Sequence, residues 1–157
     1  MFFHLWTLRS PIIPARRPFT SFFPAFQKNI RGMSSQTYSE AWLAGPNSTK
    51  FYTRTYEPTP NPARAAIVFI HGFAEHIGRY THFHPLLAAR GVAVFAFDQR
   101  GFGLTAQDKK GNKSKDSTYG KTCWQDQMRD IEWAINHTQK LFEGVPVFLM
   151  GHSMVRI

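Results

Sequence analysis

At 157 residues, 43% hydrophobic and 15% aromatic, the chain is long enough for one domain with a real core. Its formal charge of +9 is lopsided: five of the 19 basic residues (Arg9, Arg16, Arg17, Lys28 and Arg31) and none of the 10 acids precede Glu40, so the leader carries +5 and the remainder +4. With no zinc-ligand spacing, RNP-type motif or basic heptad region beside it, that separable charge is a weak nucleic-acid footprint, and no nucleic acid is expected as a partner.

Residues 1–33 are rich in Arg, Ser, Phe and Pro and free of acids, the composition of a mitochondrial transit peptide. A secretory signal fits less well, since no positive charge precedes the FFHLW stretch and prolines interrupt the residues after it. A third reading makes Met33 the usual start and the upstream stretch an optional extension. In each case the leader is expected to lie outside the fold, with a single domain over residues 34–157.

From Tyr38 the punctuation becomes regular. KFYTRTYE (50–57) alternates Phe51, Thr53 and Thr55 against Tyr52, Arg54 and Tyr56, which predicts an exposed or half-buried strand. Pro58, Pro60 and Pro62 then turn the chain. AAIVFI (65–70) is continuously apolar and β-branched, a strand buried on both faces. A short helix comes next with Pro85 in its first turn, Leu86 and Leu87 inward, and Gly91 as its stop. VAVFAF (92–97) is a second buried strand, and DKKGNKSKDSTYGK (108–121) is a solvated loop. Thr122 and Gln125 have capping-box spacing for a longer helix with Trp124, Met128, Ile131, Ile135 and Thr138 as its inward stripe. Gly144 and Pro146 end that helix, and VFLM (147–150) is a third buried strand. Strand, helix, strand, helix, strand predicts an α/β fold, a mostly parallel sheet flanked by helices.

Chemistry in such sheets gathers at the carboxyl ends of the strands. Three ends are visible: HGFAEH, DQRGFG and GHSM. Gly101-Phe102-Gly103-Leu104-Thr105-Ala106 satisfies the dinucleotide fingerprint literally, but that fingerprint needs a helix opening at once, and QDKKGNKSKD has no helical periodicity. His82 and His84 lie two apart, and His71 and His76 have no third ligand nearby, so no metal cluster is expected. The single Cys123 excludes an intrachain disulfide and makes a reducing compartment the default. No apolar run approaches the roughly 20 residues of a membrane span.

GHSM is the first four-fifths of the nucleophile elbow G-x-S-x-G. Ser153 would stand in a strained turn with its hydroxyl clear of the sheet, and Gly151 supplies the small residue two before it. Val155 stands where the second glycine belongs. An oxyanion needs two convergent backbone N–H donors, and these would come from Met154 and from Phe73 in the loop after the first buried strand.

HGFAEHIGRY, FDQRGFGLT and VPVFLMGHSM, in this order, resemble the monoacylglycerol lipase branch of the α/β-hydrolases, the serine aminopeptidase S33-like family, from about residue 38 to Met154. The resemblance implies Ser153 as nucleophile, Phe73 and Met154 as oxyanion donors, and His71, Gly72 and Gly151 as the supporting loop and elbow. It also implies Asp98, Arg100, Gly101 and Gly103 as a structural turn. The implied substrate is a monoacylglycerol-like lipid ester, with no cofactor, with peripheral contact to a membrane or lipid droplet, and with a cytoplasmic or lipid-associated location unless the leader directs the chain to mitochondria. The triad acid and histidine come after the serine in this fold, and only Met154, Val155, Arg156 and Ile157 do so here. The expectation is an α/β-hydrolase portion truncated at the elbow and inactive, its last strand an exposed apolar edge. The alternative is a non-catalytic fragment that binds lipid or a partner. A translated intron beginning at Val155, a frameshift or an incomplete gene model would each give such an ending.

Overall fold

The computed structural model describes residues 3–7, 38–59 and 61–153. The readings of the leader beyond Thr7, the start at Met33, the oxyanion donor Met154 and the ending Val155–Ile157 fall outside the described residues. Six strands form one mixed sheet: β1 (Phe3–Thr7), β2 (Ser39–Ala44), β3 (Lys50–Tyr56), β4 (Ala65–Ile70), β5 (Val92–Phe97) and β6 (Val147–His152). Their spatial order is β1-β6-β4-β5-β3-β2. The three apolar runs are the parallel centre, with β4 pairing with β5 on one side and β6 on the other. The outer strands are all antiparallel.

Alternate side chains explain why β4 and β5 lack a polar face. Val68, Ile70, Phe95 and Phe97 pack with Phe51, Ile131, Ala134 and Leu149 on one face. Ile67, Phe69, Val94 and Ala96 pack with Tyr52, Tyr56, Ile77 and Tyr80 on the other. Each fully buried aromatic here contributes about 1.5–3 kcal/mol over its exposed state. Helix α1 (His84–Ala88) and the preceding 3-10 turn Ile77–Tyr80 connect β4 to β5. Helices α2 (Gly103–Gln107) and α3 (Trp124–Leu141) lie between β5 and β6.

Several expectations need correction. Residues Phe3–Thr7 of the leader belong to the sheet: Phe3 lies opposite His152 and Thr7 opposite Phe148. The apolar edge expected at β6 is therefore paired, because an open edge of unpaired amides and carbonyls is a template for any chain within reach. Strand β3 is neither exposed nor half-buried but has Phe51, Tyr52, Thr53 and Tyr56 all buried, since β2 and β5 flank it and helices cover both faces. Helix α1 turns His84 and Ala88 inward, while Leu86 is 54% exposed. The capping box does not form: the N-cap is Cys123, without a side-chain cap bond. The inward stripe of α3 keeps Met128, Ile131, Ile135 and Thr138 and adds Ala134, with Trp133 stacked on Phe51 at 4.9 Å, but Trp124 is 54% exposed.

Candidate active site

The sheet order brings two strand ends together. From β4 the chain first steps to β5 and later returns past β4 to β6, so the crevice between β4 and β6 is a topological switch point. Ile70 pairs with Gly151, which sets His71-Gly72-Phe73 directly beside His152-Ser153. Ser153 is exposed and has φ +63, a left-handed backbone that a non-glycine residue adopts at a cost and that clusters at functional turns. Phe73 is 67% exposed, its ring edge-on to Phe102 at 5.3 Å.

His71 is fully buried. Its Nε2 accepts the Gln99 backbone N–H at 2.9 Å, so the proton is assigned to Nδ1, which donates to the Gly72 carbonyl at 2.8 Å. Burial pushes its pKa down to about 4, against the weaker upward pull of the Gly72 carbonyl and Glu75. This neutral histidine braces the loops after β4 and β5, a structural role. Gln99 completes the brace, its Nε2 donating to the His71 carbonyl at 2.7 Å.

Three residues that the sequence did not single out tie the loop to the elbow. The Glu75 carboxylate accepts the Gly72 N–H at 3.1 Å, the Tyr80 hydroxyl and an Arg79 guanidinium N–H at 2.7 Å. His152 Nδ1 lies 3.2 Å from the same Glu75 oxygen and 2.9 Å from the Tyr80 hydroxyl. Burial raises the Glu75 carboxyl, but the bonds from Tyr80, Gly72 and His152, with the Arg79 charge, hold it below the ordinary carboxylate range. Burial and the bond to Glu75 push the Tyr80 phenol up, so it stays a neutral donor. Gly72 fits closely: a Cβ there would meet Glu75 Oε2 and His152 Nδ1, both at 3.1 Å, so those side chains would have to give by a few tenths of an ångström.

Asp98, at the end of β5, ties the next turn to the same loop. Its Oδ1 accepts the Ile77 N–H at 2.7 Å, and its Oδ2 accepts the Leu104 N–H at 2.6 Å. Burial raises its pKa against those two bonds. The objection that no helix opens at the Gly101–Ala106 fingerprint is corrected, since α2 begins at Gly103. Its Leu104 amide serves Asp98 instead. Gly103 has φ +51, and a Cβ on it would stand 2.2 Å from the Asp98 carboxylate. Arg100 makes a two-pronged pair with Asp130 at 2.9 and 2.8 Å, fastening the turn to α3. The signal for Glu75 was available as a carboxylate three residues past the loop glycine in Gly72-Phe73-Ala74-Glu75. Its partners Tyr80 and His152 were not, because the His152 contact spans 77 residues.

Among the described residues no group of three or more His, Cys, Asp and Glu could hold a metal ion, and no helix is long and apolar enough to cross a membrane. A family model described as serine aminopeptidase, S33 matches residues 61–154. A monoglyceride lipase homolog of monkeypox virus is 35% identical over 104 residues, covering 66% of this chain and 34% of the viral protein. Human monoglyceride lipase is 32% identical over 112 residues, covering 71% of this chain and 34% of the human one. The chain spans about a third or less of the length of the curated relatives it matches, from 9% to 34%. In fold it resembles the crystal structure of a soluble variant of monoglyceride lipase from Saccharomyces cerevisiae, with a TM-score of 0.64 at 23% identity over 79% of this chain and 39% of that one.

Proposed function

The chain belongs to the serine aminopeptidase S33 family, and from that premise we propose that it carries the nucleophile-bearing part of a serine ester hydrolase of the monoacylglycerol lipase type. Ser153 Oγ attacks the ester carbonyl of a monoacylglycerol-like lipid while a histidine from beyond the elbow takes its proton. The oxyanion is received by the backbone amides of Phe73 and Met154. The C–O bond to the glycerol breaks, the histidine returns the proton to the leaving oxygen, and water then releases the fatty acid from acyl-Ser153. The observation that supports this most directly is the positive φ of Ser153 at the end of a strand registered, through Gly151 and Ile70, against the strand that feeds the Phe73 loop.

Residues 1–157 include no acid or histidine after Ser153, and a serine hydroxyl without a general base is a weak nucleophile. We therefore propose that residues 1–157 by themselves do not turn over ester. The test joins residues 1–154 to the part of human monoglyceride lipase beyond the matched region and assays release of fatty acid from a long-chain monoacylglycerol. Hydrolysis by the folded chimera, lost in Ser153→Ala, is the expected result. A folded chimera that hydrolyses nothing would overturn the reading and leave a non-catalytic, lipid- or partner-binding role.

A further inference from the structure

The interior face between α1 and the sheet holds a polar group that the proposed chemistry does not use. His84 is fully buried, and neither of its ring nitrogens has a hydrogen-bond partner among the described residues. Aromatic rings surround it: Tyr56 from β3 edge-on at 5.0 Å, Phe69 from β4 edge-on at 4.6 Å, and Tyr80 stacked at 5.7 Å with 15° between the planes. Phe83 lies 6.0 Å away on its own turn. As packing, a phenyl ring would fill this space without burying unpaired nitrogens, which is unfavourable for any polar group.

Tyr80 gives the position its reach. The ring that stacks on His84 carries the hydroxyl bonded to Glu75 and lying 2.9 Å from His152 Nδ1. His152 immediately precedes Ser153, and Glu75 holds the Gly72 amide beside the Phe73 loop. We infer that neutral His84 is a positioning residue: stacked on Tyr80, it holds the Glu75–Tyr80–His152 brace in place, and its protonation opens that brace and frees the turn carrying Ser153. The charged groups facing it act against protonation. Burial first, then Arg54 on β3 and His82 on the preceding turn, lower its pKa to about 3. The other groups against it, Tyr56 and Tyr80, are phenols raised by their own burial, so no anion meets an imidazolium there directly.

Linkage sets the sign. In the opened or unfolded chain a histidine takes up a proton below its ordinary value of 6.5, while native His84 does not until about 3. Closure is therefore fully favoured above pH 6.5 and weakens about tenfold for each unit the pH falls below it. Other buried groups such as His71 titrate as well, so the test is a difference. The full chain and His84→Phe are compared from pH 7 to 5 by urea unfolding and by amide exchange of the segments 70–80 and 148–153, corrected for intrinsic rate. In the wild type, both equilibria should fall about tenfold per pH unit more steeply than in His84→Phe. Parallel pH profiles in the two proteins overturn the inference. If His84→Phe does not fold, the wild type alone decides: its His84 carbon and nitrogen resonances should remain those of a neutral imidazole at pH 5, and a protonated ring in the folded chain refutes the inference. The bearing on catalysis rests on Ser153 being the nucleophile. None of these measurements does, so failure here and failure of the hydrolase reading are distinguishable.

Discussion

Replacing Tyr80 with phenylalanine removes one oxygen from the brace beside Ser153 and leaves the ring in place against Phe69, 4.5 Å away, and His84. The lost hydroxyl donates to the largely buried Glu75 carboxylate and contacts His152. A hydrogen bond to a charged acceptor is worth about 1.5–3 kcal/mol, a large share of the roughly 5–15 kcal/mol that holds a domain folded. For a small domain with a urea slope near 1.5 kcal/mol per M, the midpoint should drop by about 1–2 M. Unfolding of the full chain, monitored by tryptophan fluorescence, measures it. A double-mutant cycle with Glu75→Ala isolates the bond, and its coupling energy should be at least about 1 kcal/mol. A Tyr80→Phe loss under about 0.5 kcal/mol, or losses that simply add in the double variant, would refute the brace.

Glycine positions offer a paired contrast. Gly103→Ala places a Cβ 2.2 Å from the Asp98 carboxylate at φ +51 and should cost about 2–5 kcal/mol from overpacking and backbone strain together. Gly111→Ala, at φ +85 with nothing within 4 Å, should cost only about 1–2 kcal/mol, and urea midpoints of the two variants check the difference. His71, whose folded pKa of about 4 lies below its ordinary 6.5, contributes stability that is intact above pH 6.5 and declines as the pH falls toward 4. The decline is about 1.4 kcal/mol per unit, roughly 3 kcal/mol over that window. His71→Asn should remove one proton from the pH dependence of unfolding; an unchanged dependence counts against the assignment. Phe69→Ala should cost about 3–5 kcal/mol, because Phe69 has no exposed surface and contacts both Tyr80 and His84.

What the sequence disclosed and what it hid divide along range. The runs at 65–70 and 92–97 are legible because a strand covered on both faces has no polar alternation; the run at 147–150 reads the same way although Phe148 and Met150 are only partly buried, and the order of the three implied the parallel centre. Carboxyl-end placement then put His71–Phe73 and Ser153 together. Local rules failed where tertiary contacts outweighed them. Thr122 has the right spacing for a cap, yet α3 begins one residue later than the box requires and takes Cys123 as N-cap. β3 alternates like a surface strand, but Thr53 and Tyr56 are buried because sheet neighbours and helices enclose it. β1 pairs across 140 or more residues of chain, and Glu75 meets His152 across 77; no window of sequence contains either contact. α2 is too short at five residues to show periodicity, and it forms where the Asp98 carboxylate caps the Leu104 amide.

Every catalytic step proposed for this chain depends on Ser153 owning the reacting oxygen. The most direct measurement treats the chimera that supplies the acid and histidine with a fluorophosphonate and maps the adduct by peptide mass. A single adduct on Ser153, absent in Ser153→Ala, is the expected result. A folded chimera that stays unmodified, or one whose adduct sits on another residue and persists in Ser153→Ala, would contradict it.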